Sequence, residues 1–266
     1  MTSVDLETFM LLLVLVTGAM VGSFLNVVIH RVPRGESVVT PRSRCPSCQH
    51  EISWWENIPV LSWLLLRGRC RGCGEAISFR YILVEILAAL LAGLLFFRFG
   101  PTVIFLFFTY FALNLLALTY IDLDHQLLPD RLTLSGLGVG LLGAPFVLPG
   151  EPGPAFLFAL QGALVGGGLL YGVAWAYEKM TGRQGMGGGD IKFLAMIGAF
   201  LGWKGALLSL FLGSLAGSLI GLALMLGRGA NRRLALPFGP FLAIGALVTL
   251  LWGPQILHWY FGSLRL

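Results

Sequence analysis

Seven long apolar runs constrain the fold of this chain more than any other feature of the sequence. Each is long enough, or nearly so, to cross the roughly 30 Å hydrocarbon core of a bilayer. Because backbone polar groups in lipid must be satisfied within the chain, such runs form helices. We therefore predict an all-α polytopic membrane protein whose predicted spans are Phe9–Ile29, Tyr81–Phe97, Pro101–Ile121, Leu132–Leu148, Ala155–Tyr177, Gly205–Gly227 and Leu236–Phe261.

A further run, Ile191–Trp203, has only 13 residues and would measure about 20 Å as a helix. If it also crosses, and the N-terminus is outside, 15 of the 18 lysines and arginines lie inside. If it is re-entrant, Arg228, Arg232 and Arg233 move outside. Inside loops are enriched in Lys and Arg, so we expect about eight transmembrane helices and a periplasmic N-terminus.

The basic residues are explained by this orientation. The net charge of +5 is concentrated in the predicted inside loops, so we expect membrane lipid and no nucleic acid among the partners. Acidic Asp5 and Glu7 precede the first run, which favours a mature helix over a signal peptide. No internal repeat is evident.

All four cysteines lie in residues 31–80, the only sizeable extramembrane segment. They form two CxxC pairs, and two such knuckles deliver four thiolates to one zinc ion, as in a zinc ribbon. Disulfides are disfavoured, because this loop is predicted on the reducing cytoplasmic side. A four-cysteine site has no open coordination position, so the zinc is predicted to be structural. The predicted ligands are Cys45, Cys48, Cys70 and Cys73.

Other polar positions near the first two runs admit several interpretations. Asn26 and His30 share a helical face, and interhelical hydrogen bonding is favoured over a catalytic histidine. Glu85 is expected either to pair with a loop arginine or to line a cavity. The apolar segment between the CxxC pairs, residues 54–66, is too short to span; it rests on the membrane interface or packs against the helices.

Two acidic residues lie at the predicted cytoplasmic ends of apolar runs. Asp122 directly follows Ile121, and Asp190 directly precedes Ile191. An ionisable residue at membrane depth is costly and by default functional, although Asp190 could instead cap a helix. Two more acidic residues lie in the predicted inside loop that follows Asp122. Asp130 suits a helix cap or a first-turn charge, and Asp124 suits an ordinary solvated position.

Two carboxyl groups held close together share a proton, because both cannot easily ionise. The ionised group can accept a proton from water while the protonated group donates to a carbonyl oxygen, and this hydrolyses an amide. No HExxH motif competes, and every cysteine is assigned to the ribbon. Sequence spacing alone does not show that Asp122 and Asp190 meet.

Gly187-Gly-Gly189-Asp190 fits the GxGD signature of intramembrane aspartic proteases. Asp122 with its downstream Leu-Leu-Pro-Asp130 resembles the companion motif of the bacterial type IV prepilin peptidases (leader peptidase and N-methyltransferase). The resemblance covers nearly the whole chain. Its other blocks are Gly22–Arg31, both CxxC pairs, Arg80-Tyr81 with Glu85, Gly-Asp190-Ile-Lys192 and Pro237–Pro240.

This resemblance implies an enzyme of the bacterial inner membrane that acts at the cytoplasmic face. It cleaves the basic leader from type IV prepilins and type II secretion pseudopilins, then N-methylates the new terminus with S-adenosylmethionine. Asp122 and Asp190 would be the catalytic pair, supported by Gly187, Gly189, Lys192 and Asp124. The division implied is helix 1 (1–30), a cytoplasmic zinc-binding loop domain (31–80) and a membrane-embedded aspartic peptidase domain (81–266).

Three alternatives stay open. The first is a peptidase of this kind without methyl transfer. The second is a transporter that uses Asp122, Glu85 and Asp190 as a proton or cation path, although these acids cluster at one face instead of along the midplane. The third is a zinc-ribbon membrane scaffold with no chemistry, in which both aspartates are dispensable.

Overall fold

The structure is a computed structural model that describes residues 3–183, 185–228 and 236–263. Three of the 18 lysines and arginines counted for the predicted orientation, Arg232, Arg233 and Arg265, lie outside the described residues. Within it the chain is helical, with no strand and only two isolated β-bridges. The eight α-helices are α1 (Ser3–Arg31), α2 (Leu61–Leu65), α3 (Phe79–Phe99), α4 (Val103–His125), α5 (Asp130–Val147), α6 (Pro152–Thr181), α7 (Gly188–Arg228) and α8 (Gly239–Ser263).

Six of these helices are long and apolar enough to cross a membrane: α1, α3, α4, α6, α7 and α8. The all-α polytopic class is therefore confirmed. The predicted runs Ile191–Trp203 and Gly205–Gly227 are both contained in α7, as two helical segments that meet at the non-helical residue Gly202. A Cβ atom on Gly166 would lie 2.6 Å from Leu194 O and 3.4 Å from Ala206 Cβ, so the chain reverses at Gly202 and the two runs remain separate, as predicted. The predicted count of about eight differs from these six at one other place. The run Leu132–Leu148 is α5, which opens with Asp130 and Arg131 and falls outside the six; its crossing stays a prediction.

The helices form two compact units that divide within α4, Met1–Ala117 and Leu118–Leu266. In the first unit α1 packs closely on α3. A Cβ atom on Gly22 would lie 2.7 Å from the Cα of Glu85, so only glycine permits this approach. Asn26 donates through Nδ2 to the carbonyl oxygen of Tyr81 at 3.0 Å, which confirms its predicted interhelical hydrogen bond.

Residues 31–80 contain two knuckles that repeat each other at an offset of 25 residues. Cys45 N–H donates to His50 O, and Cys70 N–H donates to Glu75 O. The β-bridges follow the same offset, Arg44 with Glu51 and Arg69 with Ala76. The two CxxC pairs are thus alike in their backbone hydrogen bonds more than in residue identity.

In the second unit α7 is broken at Gly202, whose φ of 70° and ψ of 176° are not helical. The ring of Phe158 on α6 packs against Gly202, where a side chain would clash. Residues 188–201 form a first arm that is deeply buried, with Phe193 and Ile197 both at 0% exposure. Residues 203–228 form a second arm that exposes a row of large apolar side chains, of which Phe211 is 63% exposed.

Candidate active site and cysteine cluster

Asp122 lies in the last turn of α4 and is buried, at 5% exposure. Its Oδ2 atom accepts a hydrogen bond of 2.8 Å from the backbone N–H of Gly239, the first residue of α8. The chain leaves α4 immediately afterwards. Gln126 adopts a left-handed φ of 50°, and its N–H closes the final turn on Asp122 O. The carboxyl group of Asp122 is therefore fixed against the N-terminus of a second helix.

Asp190 is the third residue of α7 and is partly buried. Its backbone N–H donates to Gly187 O at 3.3 Å, which closes the turn that opens the helix. The carboxyl groups of Asp190 and Asp122 lie close enough to repel each other electrostatically. The structure thus brings together the two aspartates that the sequence left at separate helix ends.

Leu128 packs between the segments that carry the two aspartates. A Cβ atom on Gly189 would lie 3.0 Å from the Cβ of Leu128, and one on Gly239 would lie 3.2 Å from its Cδ2. Leu128 is itself buried, at 9% exposure. The side chain of Leu128 therefore sets the distance between Gly239, which binds Asp122, and the turn that precedes Asp190.

The other predicted site residues take different positions. Lys192 donates through Nζ to Asp130 Oδ1 at 2.6 Å, an exposed ion pair that links the first turns of α7 and α5. Asp130 is a first-turn charge of α5, one of the two roles considered for it. Gly187 has room for a Cβ atom, whose nearest neighbour at 3.9 Å would be Asp190 Oδ2. Asp124 is exposed in the last turn of α4.

The four cysteine thiols converge, with all four sulfur atoms within 4.8 Å of one another. Cys45 Sγ lies 3.8 Å from Cys73 Sγ, and Cys48 Sγ lies 3.9 Å from Cys70 Sγ. A tetrahedron with Zn–S bonds of about 2.3 Å has edges of about 3.8 Å, so the donor set fits a zinc ion. The cluster that the CxxC spacing predicts is confirmed as a group able to hold a metal ion.

Hydrogen bonds within the first knuckle favour the thiolate form of Cys45. Backbone N–H groups of Cys48 and Ser47 lower the pKa of the Cys45 thiol to about 6. At Cys73 the backbone N–H of Glu75 acts in the same direction, but contacts with the other thiols and desolvation together raise its pKa to about 12. Crowded thiols cannot all ionise on their own, whereas a coordinated cation deprotonates its thiol ligands.

Two partners of buried polar groups were missed by the sequence analysis. Glu85 accepts a hydrogen bond of 2.8 Å from the backbone N–H of Val60, and neither predicted role, an arginine partner or a cavity wall, included this contact. The second is Asp122, whose donor is the backbone N–H of Gly239. The Pro-Phe-Gly-Pro240 run was a signal for such a donor, because prolines at the start of a span free backbone groups that must find a partner.

These features define an integral membrane protein with two adjoining carboxyl groups at helix ends and a separate four-cysteine site. Residues 16–99 match the family model described as the bacterial peptidase A24 N-terminal domain, and residues 106–222 match the type IV leader peptidase family. The chain belongs to the type IV leader peptidase family. It is a multi-pass protein of the inner membrane.

Curated relatives cover almost the whole chain. The prepilin leader peptidase/N-methyltransferase of Aeromonas salmonicida (strain A449) is 43% identical over 284 residues, covering 95% of this chain and 94% of that protein. The protein of the same name from Aeromonas hydrophila is 44% identical, covering 93% and 92%. That of Pseudomonas aeruginosa is 41% identical, covering 91% and 90%. No solved structure matches the chain.

Proposed function

We propose that this chain cleaves the basic leader peptide from type IV prepilins and N-methylates the N-terminal residue that cleavage exposes. Its family membership and the names of its relatives support both activities. Type II secretion pseudopilins, which share an apolar helix behind a charged leader, are the further substrates proposed.

The observation that carries the peptidase half is the pair Asp122 and Asp190, which we propose as the catalytic residues. One carboxyl group is buried and hydrogen-bonded, and the other repels it electrostatically from a neighbouring helix end. Such a pair can hold one proton between two groups, so that one activates water and the other protonates the scissile carbonyl oxygen. We propose that Gly187, Gly189, Lys192 and Asp124 support this pair, of which Gly189 makes the tightest contact.

The zinc role is proposed for Cys45, Cys48, Cys70 and Cys73. A bound zinc would cross-link the two knuckles and complete the fold of a segment too small to have a core of its own. With four sulfur ligands it would have no free position for substrate, so its contribution is structural.

The methyl-transfer site is without assigned residues. The pocket on α8 that is lined by Val248, Trp252, Gln255, Ile256 and Trp259 has no carboxylate for the ribose hydroxyls or the sulfonium of S-adenosylmethionine, so it does not fit this cofactor.

We also propose an orientation with the N-terminus in the periplasm and the aspartate pair at the cytoplasmic face, in contact with lipid and without a nucleic-acid partner. The distribution of Lys and Arg supports it. Exposed apolar side chains outside the spans support an interfacial position for the segment between the knuckles, since Trp54 is 82% and Leu65 81% exposed.

The test is cleavage of a prepilin by purified full-length variants in the presence of labelled S-adenosylmethionine. Asp122→Asn and Asp190→Asn should each reduce cleavage by about 10²–10⁴-fold, the usual contribution of a general acid or base. Glu178→Gln, an exposed carboxyl of the same unit, is the matched control and should cleave normally. Cleavage that survives both aspartate substitutions in folded protein rejects the peptidase proposal. Cleavage without label transfer rejects the methyltransferase half alone.

A further inference from the structure

We propose that the two carboxyl groups have fixed and different roles, with Asp122 as the ionised base that activates water and Asp190 as the acid that carries the proton. This assignment rests on the proposed peptidase function and deepens it. It also makes Gly239 a positioning residue, because its backbone N–H holds the charge on Asp122.

The first turn of α8 supplies one free donor, and that donor is directed at Asp122. The N–H groups of Phe241 and Leu242 both donate to Phe238 O, and Pro240 has no N–H. Gly239 N–H donates instead to Asp122 Oδ2 at 2.8 Å. A backbone N–H can only donate, and a hydrogen bond to an ionised acceptor is about twice as strong as a neutral one. The N-terminal end of a helix also favours negative charge.

Asp190 lacks an equivalent donor. It too lies in the first turn of a helix, so the dipole of α7 acts on it, but its carboxyl group accepts no hydrogen bond from the part of the chain that is described. The charged groups nearby in sequence are Asp124 and His125 on α4, Asp130 and Arg131 on α5, and Lys192 on α7. Lys192 is bound to Asp130, and the charge that acts on Asp190 is that of Asp122.

The glycine at position 239 is what permits the donor to approach. A Cβ atom there would lie 2.7 Å from Asp122 Oδ2, inside any normal contact. A larger residue must therefore displace either the carboxyl group or α8. The combination of a following proline and a residue without a side chain leaves Asp122 one donor at hydrogen-bonding distance.

The resulting cycle balances in protons and electrons. Asp122 takes a proton from water as the water oxygen bonds to the scissile carbon, and the carbonyl π electrons move to oxygen, which takes the proton of Asp190. The diol then collapses. Its C–N bond breaks as Asp122 returns its proton to the amine nitrogen, and the Asp190 carboxylate removes a hydroxyl proton as C=O reforms. One water is consumed, and both carboxyl groups regain their starting states.

Two substitutions at one position separate the donor from the space it occupies. Gly239→Ala adds a Cβ atom and keeps the N–H, whereas Gly239→Pro adds a ring whose Cδ atom replaces the amide hydrogen and so removes the donor; proline is well tolerated at the first position of a helix. The measurement is kcat/KM for prepilin cleavage as a function of pH, with the purified full-length enzyme. The acid limb of that profile reports the base.

Gly239→Ala should lower kcat/KM, and because it keeps the N–H donor it should move the acid limb less than Gly239→Pro does. Gly239→Pro should move the limb to higher pH by about one unit or more, the usual worth of a hydrogen bond to a charged group. Acid limbs that coincide in the two variants overturn the assignment. Loss of the proposed function would appear differently, as cleavage that survives Asp122→Asn.

An infrared measurement covers the case in which Gly239→Pro does not fold. At neutral pH the enzyme should show a protonated-carboxyl band that Asp190→Asn removes, and Glu85→Gln identifies any band from that other buried carboxyl. A protonated-carboxyl band that survives in Asp190→Asn and is not due to Glu85 places the proton on Asp122, which reverses the roles.

Discussion

The cysteine cluster and the aspartate pair are built in opposite ways. The cluster is assembled from two knuckles within residues 43–77, each closed by hydrogen bonds that span a few residues. The aspartate pair uses three segments, and the contact between Gly239 and Asp122 joins positions 117 residues apart. One site is a property of a short stretch of chain, whereas the other exists only when helices pack.

This difference decides where each site is vulnerable. A local metal site depends on its ligands and on the backbone turns that aim them, so most neighbouring side chains are replaceable. A site between packed helices depends on close contacts that bear no chemistry of their own, such as Leu128 against Gly189. The predictions below test this contrast from the largest expected effect to the smallest.

Removing one thiolate should abolish the metal site completely. Cys70→Ser should lower the zinc content from about one per chain to near zero and remove hydrogen-exchange protection over residues 43–77, since binding and folding of such modules are coupled. Ser47→Ala is the control, because it keeps the backbone N–H that faces Cys45 and should bind metal normally. A wild-type enzyme that contains no zinc would contradict the assignment.

Adding one methyl group should disturb the aspartate pair strongly at one glycine and hardly at its neighbour. Gly189→Ala puts a Cβ atom 3.0 Å from the Cβ of Leu128, whereas Gly188→Ala finds no atom within 4 Å. Because a displacement of about 1 Å in an active site costs about 10²-fold, cleavage by Gly189→Ala should fall by that order and cleavage by Gly188→Ala by less than about twofold. Equal rates for the two variants would show that Leu128 does not set the spacing.

The exposed ion pair should matter least. Lys192 and Asp130 are 39% and 59% exposed, and such pairs contribute about 0.2–1 kcal/mol after solvent screening. Lys192→Met should shift the thermal midpoint by no more than about 4 °C. A double-mutant cycle with Asp130→Asn measures the coupling, which high salt should weaken. A coupling well above 1 kcal/mol would mean that this pair organises the two helix ends instead of merely joining them.

The same contrast explains how much the sequence predicted. The CxxC spacing was enough to predict the thiol cluster, because a knuckle brings residues three apart together whatever surrounds it. Hydropathy placed Asp122 and Asp190 at helix ends. It did not predict that the two residues lie close together, because their distance depends on how the helices of one unit pack. The partner of Glu85 was missed for a related reason, since a backbone N–H such as that of Val60 leaves no mark in side-chain chemistry.

The division of α7 was predicted at nearly the right residue. Hydropathy dips at Trp203 and Lys204, which separated the runs Ile191–Trp203 and Gly205–Gly227, and the chain reverses at Gly202. The polarity profile did not show that a single residue with a φ of 70° makes this turn. The catalytic roles of the aspartates and the three-part domain division stay predictions.

The break at Gly202 has a consequence for how α7 is anchored. A Cβ atom on Gly166 would lie 2.6 Å from Leu194 O and 3.4 Å from Ala206 Cβ, although these two residues would be about 18 Å apart along a straight helix. Both arms of α7 therefore run along the same stretch of α6. The first arm, which carries Asp190 at its start, is thereby fastened at its far end by the return of its own chain.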